Sequence, residues 1–395
     1  MRLHEVVDLA TSNAPPDRNT VDEIVGKGRR AQRRRRAGFA SAGAALAVVA
    51  VSAAVSLPSV FGGTGQSTVI EAGAAPSAVT QDAGAATWEF PADPFQFTFG
   101  AFEVDRWKVA APTVASTSYQ IAPVYLDGRT TNDRAVTDEE EAEIARGGDR
   151  RKGGPGYTPK PTIYAYLVLY RPGAFDPAGL TGATRLTVDG KEAYQVSGDA
   201  HGGTRRTLAW SYDSDAWAVL STNSNSTEDP SDADLQKIVP GLKPVKAAPA
   251  KLPFTLDYVP AGYQPVEIGS HSMSGLNGIA AARDGDHGGA IFANPAPATT
   301  GLVEPYGGVD GASLPGSFQI FVVPSKNSNQ TTGDTTIKCG NGFCTHRSKD
   351  GKTSIQVASE GRLSDAEMTK ILKGLKLRNV KNDSTWADAA TALVK

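Results

Sequence analysis

The chain has 395 residues and balances 40 Lys+Arg against 42 Asp+Glu, a formal net charge of −2. Its 40% apolar content excludes wholesale disorder, its two cysteines exclude a disulfide-stapled mini-fold, and its acidic bulk argues against nucleic-acid binding. Gly (42) and Pro (25) exceed average usage, which favours turn-rich β structure over a helical bundle, and the length predicts two domains beyond an N-terminal segment.

The charges are unevenly placed. Residues 1–36 carry nine basic and five acidic side chains (net +4), residues 37–61 carry none, and the remainder carries 31 basic and 37 acidic (net −6). Within 1–36, Leu3, Val6, Val7 and Leu9 form a brief amphipathic pattern, Pro15 and Pro16 break it, and Thr20-Val-Asp-Glu23 is a capping-box sequence that opens a second short helix. Two such helices cannot bury a core alone, so the segment is expected to lie on the membrane, stay unfolded or dock on a cytoplasmic protein partner.

Residues 37–61 form an uncharged Ala/Val/Leu/Gly/Ser run, long enough to span the hydrocarbon core as a helix. Arg29, Arg30, Arg33, Arg34, Arg35 and Arg36 precede it, and an uncharged Gly/Thr stretch follows. The positive-inside rule then predicts a single-pass signal anchor with a cytoplasmic N-terminus and an extracytoplasmic bulk. Cleavage at Ala72-Gly-Ala74, a small-x-small sequence more than ten residues beyond the run, is the rival reading. Residues 62–86, rich in Gly, Ala, Ser and Thr, read as a flexible stalk.

The residues from Leu3 to Leu9, Pro15-Pro16, Val21-Asp22, Gly28-Arg29-Arg30 and Arg33 to Arg36, leading into an Ala/Val-rich span, resemble the N-termini of actinobacterial single-pass membrane proteins. Some of those accompany extracytoplasmic-function sigma factors, so the resemblance implies a cytoplasmic partner at residues 1–36. The His-x-x-x-Cys-x-x-Cys zinc motif of many anti-sigma factors is absent, since no cysteine precedes Cys339.

The strongest internal signal is a repeat. Ser231-Asp-Ala-Asp-Leu-Gln-Lys-Ile-Val-Pro-Gly-Leu-Lys243 recurs as Ser364-Asp-Ala-Glu-Met-Thr-Lys-Ile-Leu-Lys-Gly-Leu-Lys376, identical at eight of thirteen positions. Each copy predicts a Ser-capped amphipathic helix stopped near a Gly. Upstream, Phe97-Thr-Phe99 answers Phe254-Thr-Leu256, and the apolar strand from Ile163 to Tyr170 answers that from Phe318 to Val323. Asp189-Gly190 and Asn341-Gly342 each predict a type I′ hairpin, and the two hairpins are taken as equivalent.

The expected class is α+β: a transmembrane helix (37–61) and stalk (62–86), then two copies of an antiparallel-sheet domain, each with a C-terminal helix. The copies are placed at 87–245 and 253–378, joined by a linker at 246–252 and followed by a C-terminal helix at 379–395. The aromatic strand, the Gly hairpin, Leu208-Ala-Trp210 and the closing Ser231-to-Leu242 helix are similar to bacterial envelope domains that accompany anti-sigma and sporulation regulators. That resemblance implies a half-barrel, lipoprotein-binding fold.

Two-residue hairpin geometry sets Cys339 opposite Cys344, within disulfide range, and an exported location favours oxidation. Trp107, Trp210 and Trp217 read first as core positions, and they are also the candidate ligand surface if they line one. Asp284, Asp286 and His287, with His271 sixteen residues earlier, form the densest polar cluster, but a solvated hairpin explains them and no metal ligand set is assigned. Residues 127–160 read as a polar insertion in the first copy. No nucleophile-elbow, Walker, dinucleotide or zincin motif occurs, so neither cofactor nor catalytic residues are assigned. The function expected is a non-catalytic, membrane-anchored extracytoplasmic binding or sensor protein, in envelope-stress or sigma-factor regulation. A passive scaffold or lipid-handling module and an anchored cell-wall hydrolase are the alternatives.

Overall fold

The computed structural model describes residues 87–127, 163–200, 203–222, 229–276, 279, 287–307, 314–325, 328 and 335–393. The chain divides into two units, Met1–Val48 and Val49–Lys395, and the described residues all belong to the second. Residues 1–36 with their arginines, the span expected at 37–61, the stalk expected at 62–86 and nearly all of the 127–160 insertion therefore lie outside the described residues. Among the described residues no helix is long and apolar enough to cross a membrane.

The described protein is mostly β-sheet. In chain order the first half contains β1 (Gln96–Phe99), β2 (Phe102–Val104), β3 (Trp107–Val109), β4 (Val114–Ser116), β5 (Tyr119–Leu126), β6 (Ala165–Tyr170), β7 (Thr184–Val188), β8 (Lys191–Ala200), β9 (Gly203–Asp213) and β10 (Ala216–Thr222). Helix α1 (Asp232–Ile238) and β11 (Pro244–Pro249) follow, and β12 (Lys251–Leu252) leads to the second half. That half contains β13 (Phe254–Leu256), β14 (Gln264–Ser270), β15 (Gly288–Ala293), β16 (Ser317–Pro324), β17 (Lys338–Gly340), β18 (Phe343–Arg347) and β19 (Thr353–Ala358). Helix α2 (Asp365–Gly374), β20 (Leu375–Leu377), β21 (Ala387–Asp388) and the single turn α3 (Ala389–Ala392) complete it.

The two halves have the same wiring. Strand order from the centre outward is β4-β5-β6-β10-β9-β8-β7 in one direction and β14-β15-β16-β19-β18-β17 in the other. In both, the chain leaves the third strand for the rim, returns inward and then enters the helix. The first strand of each half pairs with the strand just after its helix, β1 with β11 and β13 with β20. Both helices carry a reciprocal capping box, Ser231 with Asp234 and Ser364 with Glu367, which satisfies amides that the first helical turn leaves open.

Strand order changes one sequence correspondence. Counted back from the helices, the β17–β18 hairpin answers β8–β9, and the Asp189-Gly190 hairpin between β7 and β8 is an additional outer hairpin of the first half. Both turns still have the expected backbone, with positive φ at Asp189 (52°), Gly190 (72°), Asn341 (54°) and Gly342 (82°).

The halves are not separate sheets. Strand β4 pairs antiparallel with β14, joining them into one fifteen-stranded sheet among the described residues. Residues 246–252, expected as a linker, are largely strand: β11 runs against β1 and β12 against β21. The 379–395 segment is likewise no continuous helix. A 3-10 turn (Asp383–Thr385) precedes β21, and pairing of Asp388 with Lys251 holds the backbone extended until Ala389.

Alternation along the strands separates two faces. In β6, Ala165, Leu167 and Leu169 point to a core that includes Leu235 and Ile238 of α1, and in the second half Phe318, Ile320 and Val322 of β16 share a core with Met368, Ile371 and Leu372 of α2. The opposite face of the first half, with Tyr166, Val168 and Tyr170, is covered by irregular segments and a helical turn contributing Ala174, Phe175, Leu276, Ile279 and Tyr306.

Candidate functional site

The two half-sheets meet over three residue pairs, Ser116 with Glu267, Ala115 with Ile268 and Val114 with Gly269. Flanking backbone bonds run from Thr117 N to Val266 O (3.0 Å) and from Ser270 N to Thr113 O (2.7 Å). Ser116 fixes the local geometry, its Oγ accepting from the amides of Ser118 (3.0 Å) and Tyr119 (2.9 Å) in a side-chain-closed turn. That turn starts β5 at Tyr119, beside the seam.

Strict alternation does not predict where Glu267 points. The β14–β15 register is irregular between Pro265 and Glu267, which makes Val266 an extra residue. Val266 packs on the irregularly covered face, Ile268 packs on the α2 face, and Glu267 is delivered to the former, where it is fully buried.

There Tyr119 Oη donates to Glu267 Oε2 at 2.5 Å and accepts from the Tyr306 amide at 2.8 Å. Burial pushes the Glu267 carboxyl up to about 7, against the Tyr119 hydroxyl and the Gly275 amide, both of which favour the carboxylate. Among the described residues the groups acting on it include no cation. Burial, then the Glu267 charge, holds the Tyr119 phenol well above its ordinary value. Glu267 Oε1, Ser272 Oγ, Ser274 Oγ and Thr113 Oγ1 are buried and reach no partner at hydrogen-bond geometry among the described residues.

Tyr306 belongs to a strap, residues 294–307, that leaves β15 in the second half and lies on the first. Its hydroxyl sits 2.8 Å from Thr117 Oγ1 and 2.7 Å from Ser118 Oγ, pairs in which either hydroxyl can donate, and 3.2 Å from Ala298 O, a third acceptor within its reach. Ser118 Oγ also reaches Thr299 O (3.2 Å). Further along, Leu302 N donates to Ala174 O and Asp176 N to Leu302 O, both at 2.8 Å. Gly179 is needed where the strap crosses, since a Cβ there would lie 2.3 Å from Val303 Cγ2.

Beneath the strap the aromatic rings form a continuous track. Tyr306 and Tyr119 are 5.2 Å apart by ring centroid, Tyr119 and Tyr170 5.7 Å, Tyr170 and Phe175 4.9 Å, Phe175 and Trp217 6.1 Å, and Trp217 and Tyr194 5.7 Å. The track runs from the sealed Tyr119 to the half-buried Tyr194. A carboxyl that titrates near neutrality can serve as a general acid or base. Glu267, however, is covered by the strap and by both sheet halves, so its available chemistry is proton uptake and release.

The three tryptophans separate. Trp107 and Trp210 lie in the core beneath α1, 3% and 0% exposed, and offer no ligand surface. Trp217, one strand position out of phase, belongs to the aromatic track. Cys339 and Cys344 form a disulfide, their Cα atoms 4.0 Å apart as a directly opposed pair, with the sulfurs against the first turn of α2.

His271 and His287 are brought together, His271 N donating to His287 O at 3.1 Å. The His271 ring stacks on Trp386 at 4.4 Å, so the C-terminal segment packs back on the second half. Burial, with His271 nearby, pushes His287 down to about 4, and burial lowers His271 against the pull of Asp383. The His287 ring is therefore neutral at pH 7. Asp284 and Asp286 lie outside the described residues.

Glu267, Tyr119 and Tyr306 escaped the sequence reading. The one local signal was an acidic residue inside the apolar Val266-Glu-Ile268 run.

No protein-family model matches the chain, and no curated protein matches it. Among solved structures, a crystal structure of MucB in complex with MucA(peri) shows 9% identity and a TM-score of 0.19, covering 72% of this chain and 93% of that one. The complex structure of Pseudomonas aeruginosa MucA/MucB shows 10% identity and a TM-score of 0.17, covering 73% and 95%. Scores of that size establish neither a shared fold nor a shared function.

Proposed function

We propose that the chain is a non-catalytic, membrane-anchored extracytoplasmic binding or sensor protein, and that it takes up an acyl chain or similar apolar ligand along the aromatic track. The observation that supports this reading is the unequal cover of the sheet. Helices close one face of both halves, whereas the aromatic face of the first half is closed by the strap and neighbouring irregular segments, the kind of cover that can move without unfolding a core.

In this reading Arg29, Arg30, Arg33, Arg34, Arg35 and Arg36 set the N-in orientation, residues 37–61 are the anchor, and residues 1–36 report to a cytoplasmic partner, for which a sigma factor or its regulator is the candidate. Lipid handling in the envelope is the second reading, favoured by the same track.

Titration with a dansyl-labelled fatty acid tests the binding step. Saturable binding with energy transfer from Trp217, weakened in Trp217→Leu, is expected. No saturable signal up to about 100 µM, the affinity scale of a bare few-atom contact, would remove the proposal. Co-purification of a cytoplasmic protein with residues 1–36 intact, and its loss when they are deleted, separates the sensor reading from lipid handling.

A further inference from the structure

We propose that Glu267 and Tyr119 are a proton-operated latch on the 294–307 strap: the protonated carboxyl keeps the strap seated over the aromatic track, and loss of the proton releases it. The latch deepens the binding reading above by supplying its gate, yet it can be tested with no ligand present.

The argument rests on how the buried carboxyl is surrounded. Glu267 sits at the seam, with β4 on one side and β15 on the other, so both flanks of its backbone are held in ladders. From β5 it meets the Tyr119 hydroxyl, from the strap it feels Tyr306, and from the helical turn after β14 the Gly275 amide. The next layer adds Tyr170 on β6 and Glu304 on the strap itself. Among the described residues neither Lys, Arg nor His is one of these groups, His271 after β14 and His287 before β15 included.

An ionised carboxylate in that setting has one hydroxyl donor at hydrogen-bond distance, and its other oxygen has only the Gly275 amide acting on it from outside hydrogen-bond geometry. A buried, unpaired charge is costly, and the cost is relieved by protonation or by water. Of the covers over Glu267, the strap is held less continuously than the strands. It is held by side-chain hydrogen bonds and three backbone bonds, at Asn294 and Leu302, while β4, β5 and β15 are strands in continuous ladders. The strap's own amide at Tyr306 donates to the same hydroxyl that serves Glu267, so the carboxyl and the strap share one atom, Tyr119 Oη. Water admitted to Glu267 competes for that atom and lifts Tyr306.

Hydrogen exchange of the full chain, corrected for intrinsic rates, reads the latch directly. Between about pH 5.5 and about pH 8.5 the Tyr306 amide and its strap peptide are expected to lose protection by roughly tenfold or more, and Glu267→Gln, which cannot ionise, is expected to abolish that pH response. Tyr119→Phe, which removes the shared atom, is expected to give low strap protection at both pH values. Protection in the wild type that does not change with pH, or an unchanged pH response in Tyr119→Phe, overturns the latch, and the wild-type comparison holds even if Glu267→Gln fails to fold. A normal exchange response without fatty-acid binding at either pH would remove the ligand reading and leave the latch standing.

Discussion

Replacing Glu267 by Gln should change the shape of the stability–pH curve rather than shift it uniformly. In the unfolded chain the carboxyl titrates near its ordinary value of 4.5, while in the folded protein burial holds the proton to about 7. Between those values the folded state binds more protons, so the stabilisation is fully present below about pH 4.5 and is lost as pH rises through about 7. The separation corresponds to about 3 kcal/mol at about 1.4 kcal/mol per pH unit. Gln keeps the acceptor for Tyr119 Oη but adds an amide with no acceptor provided for it, a roughly constant cost of about 1–3 kcal/mol. The variant should therefore be the less stable protein at about pH 4 and draw level with or pass the wild type by about pH 8. Strap release caps the loss in the wild type at the free energy of opening, so a plateau below about 3 kcal/mol measures that opening. The assay is urea unfolding at a series of pH values with a common m-value. Parallel curves for the two proteins would refute the reasoning, because they would mean that Glu267 has the same proton affinity folded and unfolded.

The Cys339–Cys344 bridge closes a loop of six residues, and its replacement by two alanines should lower stability by about 2 kcal/mol in the chain-entropy model, read as a reduced denaturant midpoint. An unchanged midpoint would deny it a stabilising role. Ser364→Ala removes the acceptor for the Glu367 amide and the partner of its carboxylate, so a loss of about 1 kcal/mol is expected, against little or no loss for Ser364→Asn. In intact cells an impermeant protease should digest residues 87–393 and spare an N-terminal tag, and protection of the C-terminal part would overturn the proposed orientation.

Features written within a few residues were legible in the sequence. The Ser231 and Ser364 caps, the Asp189-Gly190 and Asn341-Gly342 turns and the Cys339–Cys344 pairing depend on contacts between near neighbours, and a short window contains all the partners. The duplicated plan was legible for the same reason, since two helices with one cap and one apolar spacing repeat in type. Which hairpins correspond was not, because strand order is set by pairing partners far apart in the chain.

The site belongs to that second class. Strand β4 meets β14 across about 150 residues, and no local pattern in Val114-Ala-Ser116 announces the partner. One extra residue, Val266, then puts Val266 and Glu267 on the same face, which buries the carboxylate beside Tyr119. The sequence by itself determined the caps, the turns, the disulfide and the repeat, along with the charge asymmetry from which an anchor is proposed. Tertiary structure alone decided that the two halves share one sheet and that a titratable group lies sealed at their seam, because backbone pairing and a bulge act between segments that carry no record of each other.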